Sequence, residues 1–137
     1  MLPMKELTLP ADITVYMQKA SSFPEGVLQA HQLLREKTSP DMRAFYGISH
    51  PGKDGDIMYW AATTELFESE LSGKELERFT IARGKYIYID VPCFMQNPQA
   101  IGDAFAQLLH DDRIAPDGCC IEHYIREQDC RCMVRLK

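Results

Sequence analysis

The residue best suited to ligand binding or catalysis is Glu122, an acid among sulfur-bearing and aromatic side chains in the segment Cys119 to Ile125. Successive side chains of a strand point to opposite faces, so Glu122 shares a face with Cys120 and Tyr124. A carboxylate beside an aromatic ring attracts a cation. The pattern therefore suggests a site for a positively charged molecule.

The position of Glu122 depends on which face of the strand meets the helices. We expect the more apolar face of this strand, and that of the segment Cys130 to Leu136, to pack against the helices. Glu122 and Tyr124 would then lie on the face of the sheet that points away from the helices. A solvated carboxylate, or one paired across the sheet with Arg131 or Arg135, is the alternative. A guanidinium beside Glu122 would cancel its attraction for a cation.

Five further side chains are candidates for lining a ligand site. They are Tyr16, Met58, Trp60, Tyr86 and Tyr88. Aromatic rings offer flat apolar area and cation–π contact, although aromatic residues are also common on strands for structural reasons alone. Met58 and Trp60 share one face of their strand and Tyr59 lies on the other. We favour Trp60, because indole rings suit partly exposed sites.

The cysteines and histidines do not form a metal-binding or catalytic pattern. Cys119, Cys120, Cys130 and Cys132 occur at adjacent or alternate positions along strands, whereas zinc ligands are typically spaced by two to four residues on turns. They are expected to be small buried hydrophobic side chains. No nucleophile, histidine and acid follow a hydrolase spacing. We predict neither a metal nor another cofactor, and no catalytic residue unless Glu122 is one.

The elements that position these residues follow the order strand–helix–strand–strand, twice. The predicted strands are Ile13–Gln18, Arg43–Ser49, Ile57–Thr64, Phe79–Val91 (bent or bulged at Gly84), Cys119–Ile125 and Cys130–Leu136. A helix is predicted after Pro24 and a second over the apolar stripe Ile101 to Leu109. The first ten residues are expected to be an irregular lead-in. The acids Glu65, Glu68, Glu70, Glu75 and Glu77 are expected in a solvated loop or short helix.

Each half alone would leave one face of its sheet uncovered. The sequence therefore predicts one α+β domain over residues 1–137, with repeats at about 11–66 and 77–137, in which an antiparallel sheet carries both helices on one face. The length of 137 residues is typical of one domain.

Composition excludes several classes of protein. The net charge is −5, and no segment concentrates lysine and arginine as nucleic-acid binding requires. The longest apolar runs, such as Ile87 to Val91, are too short to span a bilayer, and residues 1–10 lack a signal-like apolar segment. A cytoplasmic protein with reduced cysteines is expected, without nucleic acid or membrane as partner.

The second half of the chain resembles the GyrI-like small-molecule-binding domain, which is also the effector-binding half of AraC-type and MerR-type transcription regulators. The resemblance rests on "IARGKYIYIDVPCF", "AFAQLLHDDRIAPDG", "CCIEHYI" and "CRCMVRLK", and extends more weakly to the first half. It implies a cleft near a pseudo-two-fold axis, with an acid on the penultimate strand that corresponds to Glu122. It also implies hydrophobic, often cationic or aromatic ligands, as in multidrug binding.

The resemblance leaves three functions open. A stand-alone binding protein is favoured, because the chain has no room for a fused DNA-binding module. The alternatives are a hydrolase of electrophilic, cyclopropane-type compounds with Glu122 as general acid or base, and a domain that inhibits a protein partner through its surface. A protein partner or a homodimer is compatible with all three.

Overall fold

The computed structural model describes residues 2–39, 43–52, 54–116, 118–125 and 128–137. The strands are β1 (Met4–Leu9), β2 (Ile13–Lys19), β3 (Phe45–Pro51), β4 (Ile57–Thr63), β5 (Glu77–Ile81), β6 (Gly84–Val91), β7 (Cys120–Tyr124) and β8 (Cys130–Arg135). The helices are α1 (Val27–Lys37) and α2 (Gln99–Leu109), and Phe94–Gln96 forms a 3₁₀ turn. The chain is therefore α+β with antiparallel strands and two helices, as predicted.

The chain divides into two compact units. Unit 1 comprises Met1–Ala11 and Ala82–Lys137, and unit 2 comprises Asp12–Ile81. Each unit holds four strands and one α-helix. The internal duplication suggested by the order of the elements stays a prediction.

In unit 1 the strand order is β1-β6-β8-β7, and every neighbouring pair is antiparallel. Helix α2 packs against β6 and β8. The apolar stripe predicted for α2 is confirmed in this packing, because Ala104, Phe105 and Leu108 are buried. They form one core with side chains from β6 and β8 that include Ile89 and Cys132.

In unit 2 the order is β3-β4-β2-β5, again with antiparallel pairs throughout. Helix α1 packs against β4 and β2 and buries Ala30 and Leu34. His31 of this helix forms a hydrogen bond of 2.9 Å with the hydroxyl of Tyr59 on β4. Tyr59 therefore marks the face of the sheet that α1 covers.

Two elements differ from the sequence-based expectation. The segment before Pro10, expected to be irregular, forms β1 by pairing with β6 from Met4–Ile89 to Leu9–Gly84. The single strand expected over Phe79–Val91 is wrong, because β5 pairs with β2 in unit 2 while β6 pairs with β1 and β8 in unit 1. Both differences come from long-range pairing, which local sequence patterns do not report.

Gly84 stands where this expected strand is interrupted, at the first position of β6. Its φ of +132° is one that side chains with a Cβ rarely adopt, and an added Cβ would lie 3.1 Å from Nη2 of Arg135. The sequence predicts a strand that is bent or bulged at Gly84, whereas the structure ends one strand at Ile81 and begins the next at Gly84.

No helix within the described ranges has the length and apolar composition needed to cross a bilayer.

Candidate functional site

Glu122 lies on the face of unit 1 that α2 covers. It stands directly opposite Cys132 in the antiparallel pair of β7 and β8, and opposed residues point to the same face. Cys132 belongs to the core packed against α2, and Glu122 is 8% exposed. Strand alternation correctly grouped Glu122 with Tyr124 and Cys120, but the expectation that they face away from the helix is wrong.

Tyr124 is the hydrogen-bonding neighbour of this carboxylate. Its hydroxyl donates to Oε1 of Glu122. The Tyr124 ring packs against the core of unit 1, and its centroid lies 5.5 Å from that of Phe94 in the 3₁₀ turn. Sequence reasoning did not select Phe94, because no local pattern links this turn to β7.

Thiols flank Glu122 on the same sheet face. Cys120 precedes it by two positions and Cys132 lies opposite it, with Cys130 next to Cys132 on that face. Burial, together with the negative charges of its neighbours, raises the pKa of Cys120 to about 11. The hydrogen bond with Cys132 raises the pKa of Cys130, and burial raises it further. These two thiols are therefore neutral at pH 7 and do not compete with Glu122 for a cation.

The thiols and the carboxylate of Glu122 do not form a metal-binding site. Within the ranges that the structure describes, no group of three His, Cys, Asp or Glu side chains is arranged to hold an ion.

The two arginines considered as partners of Glu122 lie on the opposite face of the sheet. Arg131 donates to both carboxylate oxygens of Asp90 over 2.8 and 3.2 Å, and its guanidinium lies 4.4 Å from the centroid of the Tyr88 ring. Arg135 donates from Nη2 to the carbonyl oxygen of Arg83. The alternative in which Arg131 or Arg135 neutralises Glu122 is therefore wrong.

Tyr86 and Tyr88 accompany these arginines on the face opposite α2. Tyr86 is opposed to Arg135 in the register and is 1% exposed, and its hydroxyl donates to the carbonyl oxygen of Ala82. The sheet of unit 1 thus separates both tyrosines from Glu122. Their part in ligand binding stays a prediction.

The three candidates of unit 2 lie on both faces of its sheet. Tyr16 shares the α1 face with Tyr59, because the pairings of β2 and β4 place Tyr16 opposite Thr63. Met58 and Trp60 point to the opposite face, and Trp60 is 8% exposed rather than partly exposed as expected. Their part in ligand binding also stays a prediction.

Unit 2 also has a surface cavity of about 430 Å³ beside the first turns of α1. It is lined by residues between Gln18 and Ser21 and between Gly26 and Leu33. None of the predicted site residues borders it. Because the cavity holds no acid and no aromatic ring, it is poorly suited to an organic cation.

No protein-family model matches the sequence, and no curated protein matches it. Solved structures do match over nearly the whole chain. An integron cassette protein from the mobile metagenome of Vibrio cholerae has a TM-score of 0.65 at 12% identity, covering 98% of this chain and 95% of its own.

Two further structures are similar to a comparable degree. SAV2435, bound to tetraphenylphosphonium, has a TM-score of 0.62 at 15% identity and covers 100% of this chain and 94% of its own. The C-terminal domain of EcmrR has a TM-score of 0.62 at 9% identity, with 100% and 97% covered. At these identities the likeness establishes that the chain has the α+β fold of these proteins.

Proposed function

We propose that the chain is a GyrI-like binding protein for hydrophobic small cations, and that Glu122 supplies the negative charge that holds them. The burial of this carboxylate carries the proposal. Glu122 is 8% exposed on a sheet face that it shares with Tyr124 and with thiol or apolar side chains, namely Cys120, Cys130, Cys132 and Val134. Little water screens a carboxylate in such surroundings, so its negative charge acts strongly on a cation that comes close to it.

The surroundings of Glu122 favour a cation that is itself apolar. Attraction between charges is stronger in a low-dielectric site than at the surface. A cation whose charge is spread over aromatic groups suits thiol and aromatic neighbours better than a compact, strongly hydrated ion. The rings of Tyr124 and Phe94, whose centroids are 5.5 Å apart, add flat area for cation–π contact.

The arrangement of the arginines supports the same conclusion. Arg131 is bound to Asp90, and Arg135 lies with it on the opposite face of the sheet. Neither guanidinium competes with a ligand for Glu122. SAV2435, a neighbour in fold, was solved with tetraphenylphosphonium, which is a hydrophobic cation of this kind.

The proposal predicts that Glu122→Gln weakens the binding of tetraphenylphosphonium by about tenfold or more, since each 1.4 kcal/mol of lost attraction is a factor of ten. Glutamine keeps an oxygen that accepts from Tyr124 but removes the charge. The measurement is the rise in melting temperature with ligand concentration, which reports binding to the folded state. Triphenylphosphine oxide, a neutral analogue, should raise the melting temperature of the wild type and of the variant by the same amount.

The matched control is Glu68→Gln, which makes the same change at an exposed position of unit 2. It should leave tetraphenylphosphonium binding unchanged. Equal affinity of wild type and Glu122→Gln would contradict the role of Glu122. Mass spectrometry of the recovered ligand completes the test, because chemical conversion that depends on Glu122 would indicate the hydrolase alternative.

The proposal assigns binding to Glu122 and Tyr124 of the predicted residues and adds Phe94. Roles for the remaining candidates stay predictions: Tyr16, Met58, Trp60, Tyr86 and Tyr88. A protein partner, a homodimer and a cytoplasmic location also stay predictions.

A further inference from the structure

We propose that Lys19, His50 and Trp60 form a second binding site, which takes the carboxylate or phosphate group of a small planar anion. The site lies in unit 2, on the face of the sheet opposite α1. The indole N–H of Trp60 is buried there, and it makes no hydrogen bond within the described part of the chain. A buried donor without an acceptor is uncommon in folded proteins and is costly to leave unsatisfied. An oxygen acceptor from a ligand would satisfy it.

Two positively charged or donor-bearing side chains flank the indole. Lys19 is opposite Trp60 in the pairing of β2 with β4, and its Nζ lies 6.0 Å from the centroid of the indole ring. The His50 ring, on β3, lies 5.1 Å from the indole ring between centroids. The side chains of Lys19 and His50 are both exposed, so the site opens to solvent between them.

The positions around the indole favour a ligand that offers an oxygen acceptor to its N–H. The register places five other residues beside or diagonal to Trp60 on this face: Met17, Tyr46, Ile48, Met58 and Ala62. None of these positions carries an acid, although the chain as a whole has a net charge of −5. The nearest acid of the register on this face is Glu77 of β5, which lies opposite Met17 and diagonal to Lys19, on the side of β2 away from Trp60. A carboxylate or phosphate that bound both Lys19 and the indole N–H would form charge-assisted hydrogen bonds.

The shape of the site favours a planar molecule. The planes of His50 and Trp60 are inclined by 31°, so two flat rings border the site. Nδ1 of His50 donates to the carbonyl oxygen of Pro51 over 3.0 Å, which fixes the orientation of the imidazole. The flexible Lys19 side chain is then the part that moves when a ligand enters.

The experiment uses the indole resonance of the full-length chain. Trp60 is the only tryptophan, so ¹⁵N-labelled protein has one indole N–H signal. Benzoate and phenyl phosphate are titrated separately at constant ionic strength, with neutral benzamide and sodium chloride as comparisons. We expect a saturable downfield shift with at least one of the two anions, and none with the salt. The anion that binds more tightly distinguishes a carboxylate from a phosphate ligand.

Lys19→Met should weaken the binding of this anion about tenfold, because it removes one charge-assisted contact. Lys85→Met, the same change at an exposed position of unit 1, should leave it unchanged. The Glu122→Gln variant should keep the full response, so failure of this site and failure of the proposed function are distinguishable. The proposal is overturned if neither anion gives a saturable shift, or if Lys19→Met binds as tightly as wild type.

Discussion

Replacing Arg43 with methionine should lower the free energy of unfolding by about 3 kcal/mol, because it removes one partner of a buried ion pair. The side chain of Arg43 is 0% exposed and that of Glu70 is 14% exposed. Nη2 of Arg43 donates to Oε2 of Glu70, and Nη1 donates to the carbonyl oxygen of Thr64 over 3.1 Å. The hydrogen bond from Arg43 is the main reason why the pKa of Glu70 lies below its usual value.

The measurement is urea unfolding at pH 7, followed by the fluorescence of Trp60 and by circular dichroism. Glu70→Gln should also destabilise the chain, since it leaves the guanidinium buried without its counter-charge. The double variant Arg43→Met/Glu70→Leu should lose less stability than the sum of the two single changes, because it leaves no unpaired charge. Arg113→Met serves as the control, because the Arg113 side chain is 50% exposed and its ion pairs are at the surface. An Arg43→Met variant as stable as this control would contradict the prediction.

Of the five acids expected in a solvated loop or short helix, Glu68, Glu75 and Glu77 are exposed, whereas Glu65 and Glu70 make specific contacts. Oε1 of Glu70 accepts from the backbone N–H of Leu66 over 2.8 Å, and Oε2 of Glu65 accepts from that of Leu71 over 2.9 Å. These carboxylates thus hold the segment in a defined shape. The sequence could not reveal the contact with Arg43, because 27 positions separate it from Glu70.

Elements whose apolar residues recur at a regular spacing were predicted correctly from the sequence. The stripe from Ile101 to Leu109 predicted α2, because side chains three and four positions apart share one helix face and that face needs a cover. The strands after each helix were also predicted, since turn-forming residues bound short apolar runs there. In contrast, β1 has a mixed composition and forms only where β6 supplies its hydrogen-bonding partner.

The face of Glu122 shows why the candidate site was predicted only in part. Alternation along one strand sorts its residues into two groups, but the register with the next strand decides which group meets the helix. Composition favoured Ile121 and His123 for that role. The observed register instead pairs Glu122 with Cys132 and His123 with Arg131. The buried Glu122 is an exception to the rule that buried residues are apolar, and such exceptions are concentrated at binding sites.

Lowering the pH from 6.5 to 4 should destabilise the chain by roughly 3 kcal/mol through His31 alone. Burial, together with the positive charge of the nearby Arg35, lowers the pKa of His31 from its usual 6.5 to about 4. The ring sits between α1 and β4, where its Nε2 is 2.9 Å from the hydroxyl oxygen of Tyr59. Well above pH 6.5 His31 is neutral in both the folded and the unfolded state and makes no pH-dependent contribution to stability. Below pH 6.5 His31 is protonated in the unfolded chain but stays neutral in the folded chain. The free energy of unfolding therefore falls with pH until His31 is also protonated in the folded chain, near pH 4.

The test compares wild type with His31→Gln in urea unfolding at several pH values between 7.5 and 4. Glutamine keeps a hydrogen-bonding group for Tyr59 but does not titrate in this range. Contributions from Asp and Glu are common to both proteins, so the difference between their unfolding free energies isolates His31. The variant is expected to be less stable than wild type at pH 7.5 and to approach or exceed it at pH 4. A constant difference across this range would mean that His31 titrates alike in the folded and unfolded chain, and its burial against Tyr59 would then not govern its protonation.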